Sequence, residues 1–589
     1  MNVLSLGIAF CTGPGPLELY ESRRGHEVRI LAAEGTRNVT LDPAGTPATG
    51  TPHYTFAPEE TASDVVNRIS RDWPVDMLAC WCPEMFPPPR EVEDCPVRTV
   101  AIVSDWNIYY PQLEHNLARY DVVLTDKLGA QTLAVQGAEP VYVGPLYSHR
   151  TPVHRALERD RDIDILFAGN LNHAIHVDRG RCLEQAAVLS DRYRVEIRGG
   201  VYGDDYAELL NRAKIVVNYG VRREMNLRCF EALACGALLF VEADNLEVPD
   251  LLSDKEGDVV YYDRDNLARL LEHHLRHPDE AVQLSANRCE KARALAGENR
   301  LDDLLDRLAE QGTQSRAFVD FSEREKRLAE LLEYGLCRVP SQQVWAWNEA
   351  TGCLDVYPND SAFLAAAVLL ALGGAWQDSA SSAEEYTRNI LDWSKRACLA
   401  DKNSAPLWHN LAVVCRRLNA TEAEMNALKL TLRVNSCSHG DFMAGDFSDP
   451  YCIAWRRALA AGRPRVDIVH AGAATRLAEI AMGKGDFRRT EDLAMKSIEL
   501  FPEAATPYRL HAAAANFLGD TAAAAESLER GLKYTSFDDL YRMFLVKSRL
   551  AVGRHNAARE LANESALIFD ACPGGEAMAQ SFRDAAQSI

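Results

Sequence analysis

The chain has 589 residues, of which 47% are hydrophobic and 25% charged, and this is the composition of a folded protein with several domains. Its formal net charge of −21 argues against nucleic acid or an anionic membrane surface as the main partner. The 15 cysteines are scattered without a C-x-x-C pair, which favours reduced thiols, no zinc site and a cytoplasmic location.

Residues 1–147 alternate short β-rich runs with helical stretches. Near-continuous apolar strands separated by helices are typical of a parallel sheet covered on both faces. The pattern therefore predicts a Rossmann-like first domain. Its predicted strands are Val3–Phe10, Val28–Ala32, Met77–Cys82, Thr99–Ser104, Val122–Thr125 and Val141–Val143.

Residues 148–311 repeat this pattern and predict a second Rossmann-like domain. Two consecutive doubly wound domains place a ligand cleft between them, at the carboxyl ends of the strands. The predicted strands of the second domain are Ile163–Ala168, Arg194–Arg198, Ile215–Asn218, Leu238–Glu242 and Val259–Tyr262.

The segment Ile215–Glu242 carries the clearest functional signal, a short helix between two apolar strands. The helix is predicted to begin after Asn226, a good N-cap residue, and to stop at Gly236. Arg228 and Glu231 are three positions apart and share one helix face. A helix N-terminus beside an arginine suits a diphosphate, and a carboxylate one turn later suits a sugar diol.

The motif N-x-R-x-F-E-A-x-A-C-G, which begins at Asn226, resembles the donor-site helix of GT-B glycosyltransferases. The likeness is to the group 1 (family 4) type, in the bacterial branch often called spore-maturation-like. The resemblance implies that Glu231 holds the donor ribose. It also implies that Arg228 and the helix N-terminus, formed by Asn226 and Leu227, hold the diphosphate of a nucleotide sugar.

The family pattern is incomplete in this chain. Arg223 stands eight positions before Glu231, where the family has a second Glu, and Glu224 is one residue off. The family's catalytic assignment is therefore not transferred. The structural alternative is a buried amphipathic helix capped by Asn226, with Arg228 and Glu231 as a surface pair.

Other donor-binding candidates follow from the same resemblance, which implies that the loop after the first strand of the second domain faces the donor phosphates. The candidates at this loop and at neighbouring strand ends are Asn170, Arg179, Tyr202 and Asn218. Asn170 and Arg179 have an alternative role as surface or capping residues, Asn218 could instead cap the polar loop, and Tyr202 stands where the family contacts the base. In the first domain, Gly13 and Gly15 follow the first strand and would let backbone amides approach the ligand. This G-x-G lacks a third glycine and is no dinucleotide fingerprint.

Asp105 and His173 are the candidate catalytic residues. Asp105 ends a strand toward the cleft, where it would orient or deprotonate an acceptor hydroxyl. Its alternative role is to start a helix beside a packed Trp106. His173 lies in the loop that the resemblance places near the donor.

No metal site and no cofactor are predicted, and a nucleotide-diphosphate sugar is the expected donor substrate. GT-B enzymes, as the resemblance implies, use helix dipoles and basic side chains instead of a bound metal. Asp162 and Asp164 have D-x-D spacing, but they flank the start of a buried strand, where a structural role is expected.

Residues 318–589 have almost no strand signal and resemble tetratricopeptide (TPR) repeats. Gly485, Gly519 and Gly553 are spaced by 34 residues, each in a turn between two amphipathic helices. Such helical arrays usually bind a protein or peptide, although these helices could instead only brace the rest of the chain. The longest apolar run, Ala362–Trp376, is shorter than the roughly 20 residues of a membrane span, so it predicts a buried helix.

The sequence as a whole predicts an α/β GT-B protein, two doubly wound Rossmann-like domains facing a cleft, followed by an all-α helical-repeat domain. We expect a cytoplasmic glycosyltransferase that moves a sugar from its nucleotide-diphosphate donor to a hydroxyl of a protein or glycan acceptor. The TPR-like region would bind the acceptor or a protein partner. The alternative is a degenerate nucleotide-sugar sensor or scaffold with the TPR-like region as its output.

Overall fold

The computed structural model describes most of the chain and contains two parallel β-sheets followed by a long series of helices. The predicted fold class is thereby confirmed: two Rossmann-like α/β domains of the GT-B type precede a helical-repeat region. The described residues are 1–6, 24–35, 52–133, 140–142, 144–149, 153–172, 176–278, 285–310, 322–337, 339–373, 383–437 and 456–589.

The first sheet has seven parallel strands in the order β3-β2-β1-β4-β5-β6-β7. They are β1 Asn2–Leu6, β2 Glu27–Ala33, β3 Tyr54–Phe56, β4 Met77–Trp81, β5 Arg98–Ile102, β6 Val122–Leu124 and β7 Pro140–Val141. The helices of this domain are α1 Ala62–Ile69, α2 Trp106–Asn116 and α3 Lys127–Thr132. The sequence did not predict β3, because three residues are too few for a periodic signal. Residues 7–10 of the predicted first strand lie outside the described residues.

The second sheet has five parallel strands in the order β12-β11-β10-β8-β9. They are β8 Ile163–Ala168, β9 Val195–Arg198, β10 Ala213–Val217, β11 Leu238–Glu242 and β12 Val259–Tyr262. The helices are α4 Val177–Ala187, α5 Gly203–Arg212, α6 Leu227–Ala234 and α7 Leu267–Arg276, followed by Ser285–Ala294 and Gly297–Glu310. Strands such as β11 are buried along their whole length, which explains their continuous apolar runs.

The helix Gly297–Glu310 returns to the first domain. Its Leu305 and Leu308 belong to the hydrophobic core under the first sheet. Arg98 of β5 also donates to the carbonyl oxygen of Leu308 over 2.5 Å. This helix therefore holds the two α/β domains together. The domain boundaries at 147/148 and 311/318 stay predictions.

The helical region consists of paired helices, as predicted. They are Glu323–Gly335, Pro340–Val356, Ser361–Gly373, Ala383–Ala400, Ala405–Arg417, Thr421–Thr431, Arg465–Gly483, Phe487–Leu500, Ala505–Phe517, Thr521–Gly531, Asp539–Ala551, His555–Asp570 and Glu576–Ser588. Gly485, Gly519 and Gly553 have φ of +75°, +86° and +76°, so each turn uses a left-handed backbone that favours glycine. Among the described helices, none combines the length and the apolar character that a bilayer crossing requires.

Both α/β domains contact the helical region. Arg119 of the first domain is fully buried and pairs with Glu330 and Glu333 of the helix Glu323–Gly335. Arg542, near the far end of the region, pairs with Glu184 of α4 in the second domain over 2.7 Å. The helices therefore run along the side of the cleft between the two sheets.

Candidate functional site

The helix α6 has the boundaries that the sequence predicts. It begins after Asn226, whose side chain makes no capping bond, and Gly236 follows its end with φ of +76°. Within the described residues, no protein oxygen accepts a hydrogen bond from the amides of Leu227 and Arg228. The first amides of the helix are therefore left for another acceptor.

Arg228 lies at the start of α6 and is buried. Its Nε donates to the carbonyl oxygen of Ala168, at the end of β8, and its Nη1 donates to Oδ1 of Asn218, both over 2.9 Å. The guanidinium carbon also lies 4.2 Å from the ring centroid of Phe167. These contacts fix a positive charge at the carboxyl ends of the second sheet.

Arg179, in the first turn of α4, forms a second buried cation beside the first. Its Nη2 donates to the carbonyl oxygen of Tyr219 over 2.9 Å and its Nη1 to that of Asn170 over 3.3 Å. Its guanidinium carbon is 5.7 Å from the same Phe167 ring. Arg179 and Arg228 are 6% and 8% exposed, and every hydrogen-bond acceptor that they have in the described residues is a neutral oxygen.

The surroundings of Arg179 carry charges of both signs, of which Arg228 has the largest effect and is opposed by Glu224 and Glu242. Burial, followed by the charge of Arg228, lowers the pKa of Arg179 to about 9. Burial, followed by Arg179 and Arg222, lowers the pKa of His176 to about 2, so the imidazole is neutral. An arriving anion would relieve the repulsion between the buried cations.

Two glycines permit this close packing. A Cβ on Gly169 would lie 2.1 Å from Nη2 of Arg228, and a Cβ on Gly220 would lie 2.6 Å from the carbonyl oxygen of Glu224. The loops after β8 and β10 therefore need glycine at these points, because a side chain would displace the Arg228 guanidinium or the loop backbone.

Glu231 lies one turn farther along α6 and is also buried, at 8% exposed. Burial raises the pKa of its carboxyl to about 7, opposed by a hydrogen bond with Tyr206 and by the charge of Arg228. Nε2 of His154 is 3.6 Å from its Oε1. Arg228 and Glu231 are therefore not a surface pair. Both are buried, and the residues that contact Glu231 differ from those that accept hydrogen bonds from Arg228.

A third buried arginine, Arg222, links the two α/β domains. Its Nη1 is 2.9 Å from Oδ1 of Asp105, and its Nε is 2.7 Å from Oδ2 of Asp126, both in the first domain. Its own amide donates to Glu224 over 2.6 Å. Arg222 is not among the residues predicted from the sequence, where only its place in a polar loop after a strand could have suggested it.

The loop before α6 places the neighbouring Arg223 and Glu224 in different environments. Arg223 has φ of +57° and a side chain that is 49% exposed and paired with Asp244. This left-handed residue turns outward, and the neighbouring Glu224 is buried beside Arg222, at 5% exposed. The carboxylate that faces inward in this loop is therefore that of Glu224.

The remaining predicted residues are placed as follows. Asp105 precedes α2 without capping it, and its side chain is 40% exposed beside Arg222. Asn170 is exposed, Tyr202 is half-buried at the start of α5, and Asn218 is fully buried. Gly13, Gly15 and His173 lie outside the described residues, so their predicted roles stay predictions.

The D-x-D pair has the structural role that was expected. Asp162 pairs with Arg212 over 2.7 Å, and Asp164 pairs with Lys214 over 2.6 Å, on the edge of the second domain away from Arg228. In the described part of the chain, no group of three His, Cys, Asp or Glu side chains has the arrangement of a metal site. The absence of a metal requirement stays a prediction.

A cavity of about 350 Å³ lies where the three parts of the chain meet. The first domain contributes Trp106 and Asn107, and the second contributes His176 and Arg179. The helical region contributes a wall that includes Arg457, Phe501 and Glu503. The volume lies within the usual range of small-molecule sites.

Comparison with known proteins identifies a family to which the second domain is similar. Residues 150–306 match a family model described as glycosyl transferase-like. No curated protein matches the chain significantly. The part of the chain that carries α6, Arg179 and Arg228 is therefore glycosyltransferase-like, and the spore-maturation-like branch stays a prediction.

Solved structures with similarity include a synthase, a transferase and MamA. A sucrose-phosphate synthase from Thermosynechococcus elongatus is 11% identical, with a TM-score of 0.35 over 53% of this chain and 98% of that chain. The pneumococcal O-GlcNAc transferase GtfA, in complex with UDP and GlcNAc, is 11% identical, with a TM-score of 0.30 over 42% of this chain and 60% of that chain. MamA is 15% identical, with a TM-score of 0.23 over 32% of this chain and 86% of that chain.

Proposed function

We propose that the chain is a glycosyltransferase that moves a sugar from a nucleotide-diphosphate sugar to a hydroxyl of a protein or glycan acceptor. One observation carries this proposal. Arg179 and Arg228 are buried beside each other and donate only to neutral oxygens among the described residues. Buried cations are costly unless they are paired, so a site of this kind is built for an anion.

The diphosphate of the donor fits this anion site. It carries two negative groups and several acceptor oxygens, which match the two guanidiniums and the open amides at the start of α6. The charge that builds on the leaving diphosphate during sugar transfer would be stabilised by the same groups. Arg179 and Arg228 would therefore act on both binding and turnover without a metal ion.

Glu231 is the proposed ribose ligand. It lies one turn from the diphosphate site, and its carboxylate oxygens accept hydrogen bonds from a diol. The Tyr206 hydroxyl and the His154 ring beside it would orient the carboxylate. In this arrangement Glu231 selects a nucleotide over a bare diphosphate.

Asp105 is the proposed acceptor-side residue. It stands at the carboxyl end of β5, faces the second domain, and is held by Arg222 over 2.9 Å. Its partly exposed carboxylate would orient an acceptor hydroxyl toward the donor sugar. Arg222 would act through Asp105 as a positioning residue.

Turnover separates the enzyme from a nucleotide-sugar sensor. The full chain would be incubated with the glucose and N-acetylglucosamine conjugates of UDP, GDP and TDP, and release of the nucleoside diphosphate would be measured. An enzyme releases diphosphate slowly by hydrolysis, and faster with an acceptor. Tight binding of a donor with no release under any condition would favour the sensor. No binding of any donor would contradict both.

The cellular setting is also a proposal. A cytoplasmic location is supported by the free state of the cysteines whose side chains are described. The helical region is proposed to bind a protein, either the acceptor or a partner. Its paired helices around glycine turns are of the kind that present an extended binding surface.

A further inference from the structure

We propose that the helical region forms one wall of the subsite for the transferred sugar, with Glu503 as a sugar-binding residue together with Asn107 of the first domain. This inference rests on the proposed function, because it assigns the space next to the diphosphate site. It gives the helical region a place in donor recognition, beyond any binding of a partner.

The location of the cavity supports the assignment. Arg179, one of the two proposed diphosphate ligands, also lines the cavity. A group that extends from a diphosphate bound at Arg179 would therefore enter this space. The helical region forms one side of the cavity. Arg457 contributes to this side, as do Phe501 and Glu503, which follow the end of the helix Phe487–Leu500.

Three residues that line the cavity each have a buried polar atom without a partner in the described part of the chain, and these atoms indicate the chemistry of the ligand. Among the described residues, Oδ1 of Asn107, Nδ1 of His176 and Oε2 of Glu503 are buried and have no hydrogen-bond partner. Each of the three residues lines this cavity, and each belongs to a different part of the chain. Buried polar groups of this kind are nearly always satisfied in a native protein.

The unsatisfied atoms of Asn107 and Glu503 are acceptors. A ligand that satisfies them must bring hydrogen-bond donors, and a sugar ring brings several hydroxyl groups. Asn107 is itself 8% exposed, so its amide oxygen is built into the wall. The Glu503 side chain is 41% exposed in all, and its other carboxylate oxygen pairs with Arg463 over 2.5 Å.

The apolar part of the wall fits the same ligand. Trp106, Val177 and Phe501 contribute hydrocarbon surface between the polar groups. A pyranose ring presents both hydroxyl groups and C–H faces, so it matches a wall of mixed character. A volume of about 350 Å³ accommodates one such ring beside a diphosphate.

The test compares each nucleoside diphosphate with its sugar conjugate by calorimetry on the full chain. The probes are UDP, GDP and TDP, with and without glucose or N-acetylglucosamine. The quantity of interest is the dissociation constant of the bare diphosphate divided by that of its sugar conjugate. This ratio isolates the contribution of the sugar to binding. Glu503→Gln and Asn107→Ala are each expected to reduce this ratio by about tenfold and to leave the affinity for the bare diphosphate unchanged.

Glu499→Gln is the matched control, because Glu499 is an exposed acidic residue just before the same loop and does not line the cavity. It should change neither affinity. Thermal unfolding of each variant establishes that it folds, and Asn107→Ala provides a second test from another domain if Glu503→Gln does not fold.

The outcomes are distinct. If the diphosphates bind and both variants leave the sugar contribution to binding unchanged, the proposed sugar subsite is wrong and the diphosphate site stands. This result is expected if the cavity binds an acceptor saccharide and not the donor sugar. If no diphosphate binds to the native chain, the proposed function itself fails, and this inference fails with it.

Discussion

The Arg222 guanidinium lies 2.9 Å from the Asp105 carboxylate, across the boundary between the two α/β domains. The same guanidinium is 2.7 Å from Asp126, which is 2% exposed. One side chain therefore ties the domains together and sets the position of the carboxylate proposed to face the acceptor.

Replacement of Arg222 tests this link. Arg222→Gln would leave the Asp126 carboxylate buried without its cation, so we expect a loss of about 3 kcal/mol or more in stability. Turnover should fall more than donor affinity, because Asp105 loses its orientation while Arg179 and Arg228 remain. The measurements are thermal unfolding and steady-state turnover.

Arg223→Gln is the control for this variant. Arg223 is adjacent and half-exposed, and its one ion-pair partner among the described residues is the half-exposed Asp244. Its loss should change stability by no more than about 0.5 kcal/mol. Equal effects of the two substitutions would contradict the role given to Arg222.

Replacement of Glu231 tests the ribose assignment. Glu231→Ala should weaken the binding of a nucleotide sugar by roughly 1.5–3 kcal/mol through the loss of charge-assisted hydrogen bonds. Binding of inorganic pyrophosphate should not change, because it has no ribose. Calorimetry with both ligands gives the two numbers. An unchanged nucleotide affinity in a folded variant would remove Glu231 from the site.

The ionisation of Glu231 also predicts a pH effect on stability. Burial raises its pKa from the usual 4.5 to about 7, so the folded chain holds a proton on it over a range where the unfolded chain does not. The stability of the native protein relative to Glu231→Gln should therefore fall as pH rises from about 4.5 to about 7, by up to about 3 kcal/mol, and then level off. Thermal midpoints of both proteins over this range measure the difference, and a difference independent of pH would contradict the burial of an ionisable carboxyl.

A methyl group at Gly169 tests the geometry of the arginine site without removing a charge. The Cβ of Gly169→Ala would lie 2.1 Å from Nη2 of Arg228, so the guanidinium must move. We expect about tenfold weaker diphosphate binding with a small change in stability, because the end of a long side chain can shift. Gly199→Ala is the control, since its Cβ would meet only ordinary contacts from 3.5 Å outward. Equal donor affinity in the two variants would argue against the placement of Arg228.

The glycine turns of the helical region predict opposite effects for two nearby alanine substitutions. Gly519→Ala forces a side chain into a backbone with φ of +86° and should cost about 1–2 kcal/mol. Gly483→Ala ends the helix Arg465–Gly483, meets no atom within 4 Å, and should stabilise it by about 0.5–1 kcal/mol. Thermal unfolding reports both, and the same sign for the two would contradict the repeat geometry.

The sequence predicted those features that are set by local pattern. Fully apolar strands, the ends of α6 at Asn226 and Gly236, and the turn glycines each have a short-range cause, and the structure agrees with them. Asn419, with φ of +55°, takes the place of the glycine in an earlier helix pair, which asparagine tolerates better than most residues.

The features that the sequence did not predict depend on long-range contacts. Two adjacent arginines look alike in a sequence, but in the structure Arg222 is buried, whereas Arg223, with φ of +57°, is half-exposed. The contact of Arg542 with Glu184 joins residues far apart in the chain, so no local pattern shows that the helical region packs against the second domain. For the same reason, the sequence could not predict that Glu503 and Asn107 line the same cavity.

The most direct test of the account is the binding of a nucleoside diphosphate to the native chain and to Arg179→Gln. The account predicts that UDP, GDP or TDP binds the native protein and that the substitution weakens binding by about tenfold to a hundredfold, or roughly 1.5–3 kcal/mol. Arg181→Gln, an exposed change two residues along the same helix, should bind as the native protein does. Equal affinity in Arg179→Gln and Arg181→Gln, or no binding of any of the three diphosphates, would contradict the claim that the two buried arginines form a diphosphate site.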